Sequence, residues 1–183
     1  MSIEKVLDQK KTDILNAWIK QVLGTYSADG ARVFSNERDR FANPVGHNVR
    51  AGLTEIYEAL VADQTAPVAG EASFKLVQVR AVQEFSPSEA LSFIFLLKEL
   101  VRREAGAELD HAALERIDRA VDRMALQLFD HYMACRERLF RVRLEEIERN
   151  RFLVTDGGCP SRFLRNRRNT ATPAGSADAG PDA

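Results

Sequence analysis

The chain has 183 residues, of which 45% are hydrophobic and 29% charged, and its formal net charge at pH 7 is −1. These figures fit one soluble domain without a membrane span, because no apolar run approaches the ~20 residues that a span requires. The near-zero charge makes a nucleic-acid partner unexpected. The two separated cysteines do not suggest a disulfide scaffold. Since no signal sequence is recognisable either, a cytoplasmic location is expected.

Apolar residues recur at three- and four-residue steps through most of the chain, which is the period of helices rather than of strands. A first amphipathic helix is predicted from Ile3, with Gly24 as its stop. A second helix begins after Asn43, since Pro44 suits an early helical position, and it ends near Asp63.

The third and fourth predicted helices meet at the strongest local signal in the chain, the segment FSPSEAL. Ser86 can accept a hydrogen bond from the amide of Glu89 while the Glu89 side chain bonds back to the Ser86 amide, and Pro87 occupies the first helical position. This capping box predicts a helix start at Ser86, with the fourth helix continuing through Phe93 to Val101. The third helix is predicted to bury a stripe made of Phe74, Val77 and Ala81.

Asp110 is the predicted N-cap of a fifth and much longer helix, which runs to about Asn150 without proline or glycine. The predicted fold class is therefore all-α, a single bundle of about five helices with a long C-terminal helix. The last fifteen residues are small, polar and rich in alanine, glycine and proline, which is typical of disorder. The predicted organisation is a helical domain at 1–150, a basic extension at 151–168 and a disordered tail at 169–183.

Charge is placed unevenly along the chain, since residues 136–168 hold ten arginines and only five acidic residues. The favoured interpretation of most of these arginines is a solvated helix with ion pairs four residues apart, such as Arg141 with Glu145. Four arginines lie outside that pairing and are candidates for contact with a partner or with nucleic acid: Arg162, Arg165, Arg167 and Arg168.

Catalytic motifs are absent from the sequence: there is no glycine-rich phosphate loop, GxSxG, HExxH or paired CxxC, so neither an enzyme nor a bound cofactor or metal is expected. His131 and Cys135 lie four residues apart, on one face of the long helix, where two haem or metal ligands could converge. Arg80 and Lys98 flank the capped turn, where a buried charge could bind a small anion. The simpler interpretations, core packing for the first pair and ion pairing for the second, are favoured.

Two stretches resemble the RsbRD N-terminal domain family, the sensory module of RsbT co-antagonist proteins. They are NPVGHNVRAGLTEIYEAL at 43–60 and LVQVRAVQEFSPSEALSFIFLLKELVRRE at 76–104, and the second is the more specific because RAVQ leading into FSPS matches the family in order and spacing. The similarity covers about residues 10–145. It implies an all-helical domain, with a globin-like arrangement as one option, that senses or relays a signal in bacterial stressosome-type regulation. It implies no ligand residues.

Family members commonly precede an output domain, whereas too little chain follows Asn150 for a STAS or kinase domain. The sequence therefore predicts a stand-alone, non-enzymatic sensor or adaptor domain that acts through helix-mediated protein contact and forms a homodimer. Phe95, which lies off the main stripe of the fourth helix, is a candidate for covering a second helix or a subunit interface. Two alternatives stay open: a haem or small-ligand sensor, and a nucleic-acid-binding regulator that uses the arginine-rich arm.

Overall fold

The structure is a computed structural model that describes residues 2–26, 43–62, 70–83 and 85–155, with side chains described as far as residue 151. Within these ranges the chain forms helices and no strands, which confirms the predicted all-α fold. The described helices are α1 (Ile3–Leu23), α2 (Pro44–Ala62), α3 (Glu71–Val82), α4 (Pro87–Leu91), α5 (Phe93–Ala105) and α6 (His111–Thr155).

Helix α1 has the ends that the sequence predicts. The Ser2 hydroxyl accepts a hydrogen bond from the Lys5 amide at 3.4 Å, and Gly24 follows the last helical residue. Two polar groups tie α1 to its neighbours: Trp18 Nε1 donates to the carbonyl of Phe93 at 2.7 Å, and Leu7 accepts from the Tyr57 hydroxyl at 2.7 Å. Both bonds are buried, so they fix α1 against α2 and α5 as well as satisfying the two polar groups.

Helices α2 and α3 approach each other closely at Gly52. A Cβ atom at this position would lie 2.7 Å from the Cβ of Leu76, so only glycine allows the two backbones to come so near. One turn further along, Glu55 of α2 accepts a hydrogen bond from the Ser73 amide at 2.6 Å. The carboxylate of Glu55 thus caps the N-terminus of α3, where negative charge is stabilising.

The fourth predicted helix is divided at Ser92 into α4 and α5, which is why the described residues contain six helices where about five were predicted. In a continuous helix the carbonyls of Glu89 and Ala90 would accept hydrogen bonds from the amides four residues later. Here they accept from the guanidinium of Arg80 instead, at 3.0 and 2.8 Å. A side chain from α3 therefore takes over the C-terminal carbonyls of α4, and the helix turns at that point.

Helix α6 begins at the predicted N-cap, since Asp110 accepts a hydrogen bond from the Ala113 amide at 2.7 Å. Its first half runs antiparallel to α5, because Lys98 pairs with Asp122 and Arg102 pairs with Asp118. The described residues divide into two units, one that ends at residue 139 and one that begins at residue 140. None of the described helices has the length and apolar character needed to cross a membrane.

Candidate functional site

Arg80, a predicted anion-binding candidate, lies fully buried between α3, α4 and the end of α1. Besides its two bonds to the carbonyls of α4, its guanidinium donates to the Thr25 hydroxyl at 3.3 Å. Arg80 forms no ion pair with any of the described residues; its partners there are neutral oxygens and aromatic rings. Three rings surround the guanidinium carbon: Tyr26, Phe85 and Phe93, at 5.4, 4.5 and 5.6 Å from their centroids.

This aromatic cage offsets the loss of water around a buried cation, because each ring presents its negative face to the charge. The surroundings also change the chemistry of Tyr26, where burial raises the pKa of the phenol and the positive charge of Arg80 opposes that rise. With its donors directed to α4 and α1, the guanidinium fixes the position of the short helix α4. The arrangement therefore supports the local architecture directly.

Lys98, the second anion-binding candidate, has a different environment. Its ammonium group bonds to Asp122 at 2.7 Å and lies 5.8 Å from the ring of Phe95. It shares none of the hydrogen-bond partners of Arg80. Among the described residues, Arg80 and Lys98 therefore have different hydrogen-bond partners and do not form one anion-binding site.

His131 and Cys135 are brought together, as their spacing predicts, with Nε2 and Sγ 3.7 Å apart. The imidazole stacks on the ring of Phe74 at a centroid distance of 4.4 Å. Burial lowers the pKa of His131, an effect that the nearby charge of Arg138 increases and a bond to the backbone of Phe74 opposes. Burial likewise raises the pKa of Cys135. Both groups are therefore neutral at pH 7, and a neutral thiol is a poor nucleophile and ligand.

Arg162, Arg165, Arg167 and Arg168 lie outside the described residues, as do the predicted basic extension beyond residue 155 and the predicted disordered tail. Within the described part of the chain, no three histidine, cysteine, aspartate or glutamate side chains are grouped closely enough to hold a metal ion.

The surface of the first unit carries an apolar groove of about 520 Å³ between α4, the start of α5 and the middle of α6. Its apolar lining is Pro87, Leu91, Phe95, Ala125, Leu126 and Phe129, and we call these residues the apolar groove. Phe95, Leu126 and Phe129 are 46, 66 and 43% exposed, although large apolar side chains are normally buried. The buried Arg80 supports one wall of this groove, because it fixes α4.

The second unit also exposes large apolar side chains. Between residues 140 and 147 they are Phe140, Val142, Leu144 and Ile147, with exposures of 47 to 62%. Arginine and glutamate side chains lie between them, and all of these charged residues are exposed. The ion pairs expected between Arg141, Glu145 and Arg149 are not formed among the described residues. These charges therefore face solvent beside an apolar surface.

Sequence reasoning found one part of the groove and missed the rest. Phe95 was singled out because it lies off the main stripe of its helix. Leu126 and Phe129 carry the same signal, since they fall outside the series of core positions on α6 that includes Val121, Met124 and Leu128. Their place off the core positions of the long helix is therefore the sequence signal that marks them.

One family model matches the chain: the RsbT co-antagonist protein rsbRD N-terminal domain, over residues 12–147. The match spans the described helices from near the middle of α1 to late in α6 and agrees with the extent of the resemblance seen in the sequence. It includes Arg80, the capping box at Ser86 and the apolar groove. No match was found among curated proteins or among solved structures.

Proposed function

Because the chain belongs to the RsbT co-antagonist protein rsbRD N-terminal domain family, we propose that it is a non-enzymatic sensory or adaptor domain of bacterial signal transduction. It acts through contacts between helices of associating proteins, and the first of these contacts joins two copies of the chain as a homodimer. Its partners are proteins of a regulatory system.

The observation that carries this proposal is the exposed apolar groove between α4, α5 and α6. Monomeric proteins seldom expose large contiguous apolar patches, and large patches mark interaction sites. The apolar groove contains almost no polar lining, whereas a small-molecule site normally places several polar groups around its ligand. An apolar groove between helices suits the apolar side of another helix.

The family-specific stretch at 80–98 supports the same conclusion. Arg80 fixes α4, the capping box at Ser86 fixes the start of α4, and α4 together with Phe95 forms one side of the apolar groove. The residues that carry the family resemblance therefore build one side of the surface to which we assign the contact, and α6 provides the other side.

The homodimer is tested by sedimentation equilibrium on the wild type and on two matched variants. Leu126→Gln removes an apolar side chain from the groove, and Val82→Gln removes one that is similarly exposed, 62 against 66%, but lies on α3 outside the groove. We expect the wild type and Val82→Gln to dimerise and Leu126→Gln to dissociate about tenfold more readily, since a polar group is then desolvated in the interface. A monomeric wild type, or equal dimerisation of the two variants, contradicts the proposal.

The signalling contact is tested by placing a photo-crosslinking residue at position 129 in cells, with position 16 on α1 as an exposed control. We expect position 129 to capture protein and position 16 to capture far less. A captured regulator must then bind the purified chain, and Leu126→Gln must weaken that binding. Equal capture at the two positions contradicts a contact role for the groove.

A further inference from the structure

Among the described residues, helix α6 exposes seven large apolar side chains. Six of them form two sets of three, one in each unit, and the seventh, Val142, lies on another side of the helix. The first set is Leu126, Phe129 and Met133, and the second set is Phe140, Leu144 and Ile147. The steps within the first set are three and then four residues, and those within the second are four and then three. Each set has the spacing of a helical face, and the order of the steps in one is the reverse of that in the other.

A reversed order of spacing is what two antiparallel helices need in order to match side chain to side chain. When one helix is read from its N-terminus and its partner from the C-terminus, each residue of the first set meets one residue of the second. Met133 then lies opposite Phe140, Phe129 opposite Leu144, and Leu126 opposite Ile147. Both sets are exposed to solvent in one copy, so their pairing between copies buries apolar surface that would otherwise face water.

The charges at the ends of the two sets point to the same orientation. Asp122 stands four residues before Leu126, and Arg151 stands four residues after Ile147. Both residues are exposed, and Asp122 bonds to Lys98 of its own chain at 2.7 Å. In the antiparallel arrangement Arg151 of the other copy approaches this pair on the side of the Asp122 carboxylate, so charges of opposite sign meet there. In a parallel arrangement in register, Asp122 would face Asp122 of the other copy and Arg151 would face Arg151 of the other copy. Like charges would then meet at both ends.

We propose that two copies of the chain pair antiparallel along α6, with the first apolar set of each copy packed on the second set of the other. The inference rests on the proposed function and specifies the partner and the orientation of its first contact. Leu144 and Ile147 of the second copy then enter the apolar groove beside Phe129 and Leu126. The contact is isologous, so it occurs twice and closes as a dimer.

Disulfide crosslinking tests the orientation directly. In a background of Cys135→Ala and Cys159→Ser, one preparation carries Leu126→Cys and another carries Ile147→Cys. Both positions are more than 60% exposed, so neither substitution removes a core side chain, and thermal melts followed by circular dichroism verify the fold. Each preparation is oxidised with diamide alone and after mixing and re-equilibration with the other.

We expect the mixture to form crosslinked dimer and each preparation alone to form almost none. In the antiparallel pair, two residues numbered 126 are separated by 21 residues of helix, about 30 Å, whereas a disulfide requires Cα atoms within about 7 Å. In the control mixture, a preparation with Val142→Cys takes the place of the one with Ile147→Cys. Val142 is exposed and lies in the same unit, on another side of the helix. The mixture of Val142→Cys with Leu126→Cys should not crosslink.

The possible outcomes separate the inference from the proposed function. Crosslinking of each variant with itself shows a parallel dimer and overturns the inference while the proposed homodimer stands. A dimer by sedimentation with no crosslink in the mixture places the interface elsewhere and also overturns the inference. A monomer by sedimentation overturns both the inference and the proposed homodimer.

Discussion

Replacing Arg80 with methionine tests whether this buried cation supports the fold around the apolar groove. Methionine fills much of the same volume with an apolar chain, so the substitution removes the charge and the donors more than the packing. The carbonyl of Ala90 loses its guanidinium donor, the carbonyl of Glu89 keeps only the Ser92 hydroxyl at 3.1 Å, and the Thr25 hydroxyl loses a partner.

The expected cost follows from these lost bonds. A hydrogen bond to a charged group contributes about 1.5–3 kcal/mol, and a buried carbonyl left without its donor costs about 1–3 kcal/mol. Part of the cost is offset because methionine carries no charge that must be desolvated. We therefore expect Arg80→Met to lower the free energy of unfolding by about 3 kcal/mol.

Urea denaturation followed by circular dichroism measures this difference, provided that both proteins unfold in one cooperative transition. The matched control is Arg103→Met on α5, where the arginine is exposed and pairs with Glu104 on its own helix. That control should cost no more than about 0.5 kcal/mol, which is typical of an exposed ion pair. A loss below about 1 kcal/mol for Arg80→Met would show that α4 does not depend on the guanidinium.

Two further outcomes are expected from the described contacts. Gly52→Ala should destabilise the protein by about 1–2 kcal/mol, because the new Cβ would overlap Leu76 and overpacking outweighs the gain in helix propensity. Gly24→Ala, where the atoms nearest to a new Cβ are backbone oxygens at 3.3 and 3.4 Å, should change the urea midpoint less. Burial lowers the pKa of His131 in the folded state below its usual value of 6.5. As the pH falls, the unfolded state therefore binds a proton at this residue before the folded state does. The free energy of unfolding should fall as the pH drops through about 6.5. His131→Phe keeps a ring beside Phe74 and should remove that part of the pH dependence; an unchanged pH profile in the variant would refute the assignment.

Local signals predicted three helix ends correctly, whereas the long helix continues to Thr155, beyond its predicted end at about Asn150. The capping box at Ser86, the N-cap at Asp110 and the stop at Gly24 all appear in the structure, because each depends on residues within one helical turn. The same reasoning predicted the contact of His131 with Cys135, since four residues separate neighbours on one helical face.

The break at Ser92 could not be predicted from local signals. It depends on Arg80, ten residues before Ala90 and on a different helix, and a sequence pattern does not show which carbonyls a distant guanidinium will reach. The predicted buried stripe of the third helix omitted Arg80 for a related reason, because charged residues are rarely fully buried. Here neutral oxygens and three aromatic rings provide the environment that burial requires.

The apolar groove was only partly predictable, because its floor belongs to three helices whose packing had to be known first. A sequence can show that Phe95 or Leu126 lies off a core stripe, but an off-stripe residue can cover a neighbouring helix or remain exposed. Only the packed structure distinguishes these cases, and it leaves both side chains partly exposed at one groove.

A distance measurement between two spin labels tests the central claim, that two copies pair antiparallel along α6, most directly. The chain is labelled at Leu126→Cys in the background without native cysteines and measured by pulsed electron spin resonance at a concentration where it is dimeric. The antiparallel pair predicts a distance of about 30 Å between the two labels, set by 21 residues of helix at 1.5 Å each. A distance near 10 Å, or no dipolar coupling between labels, would contradict it.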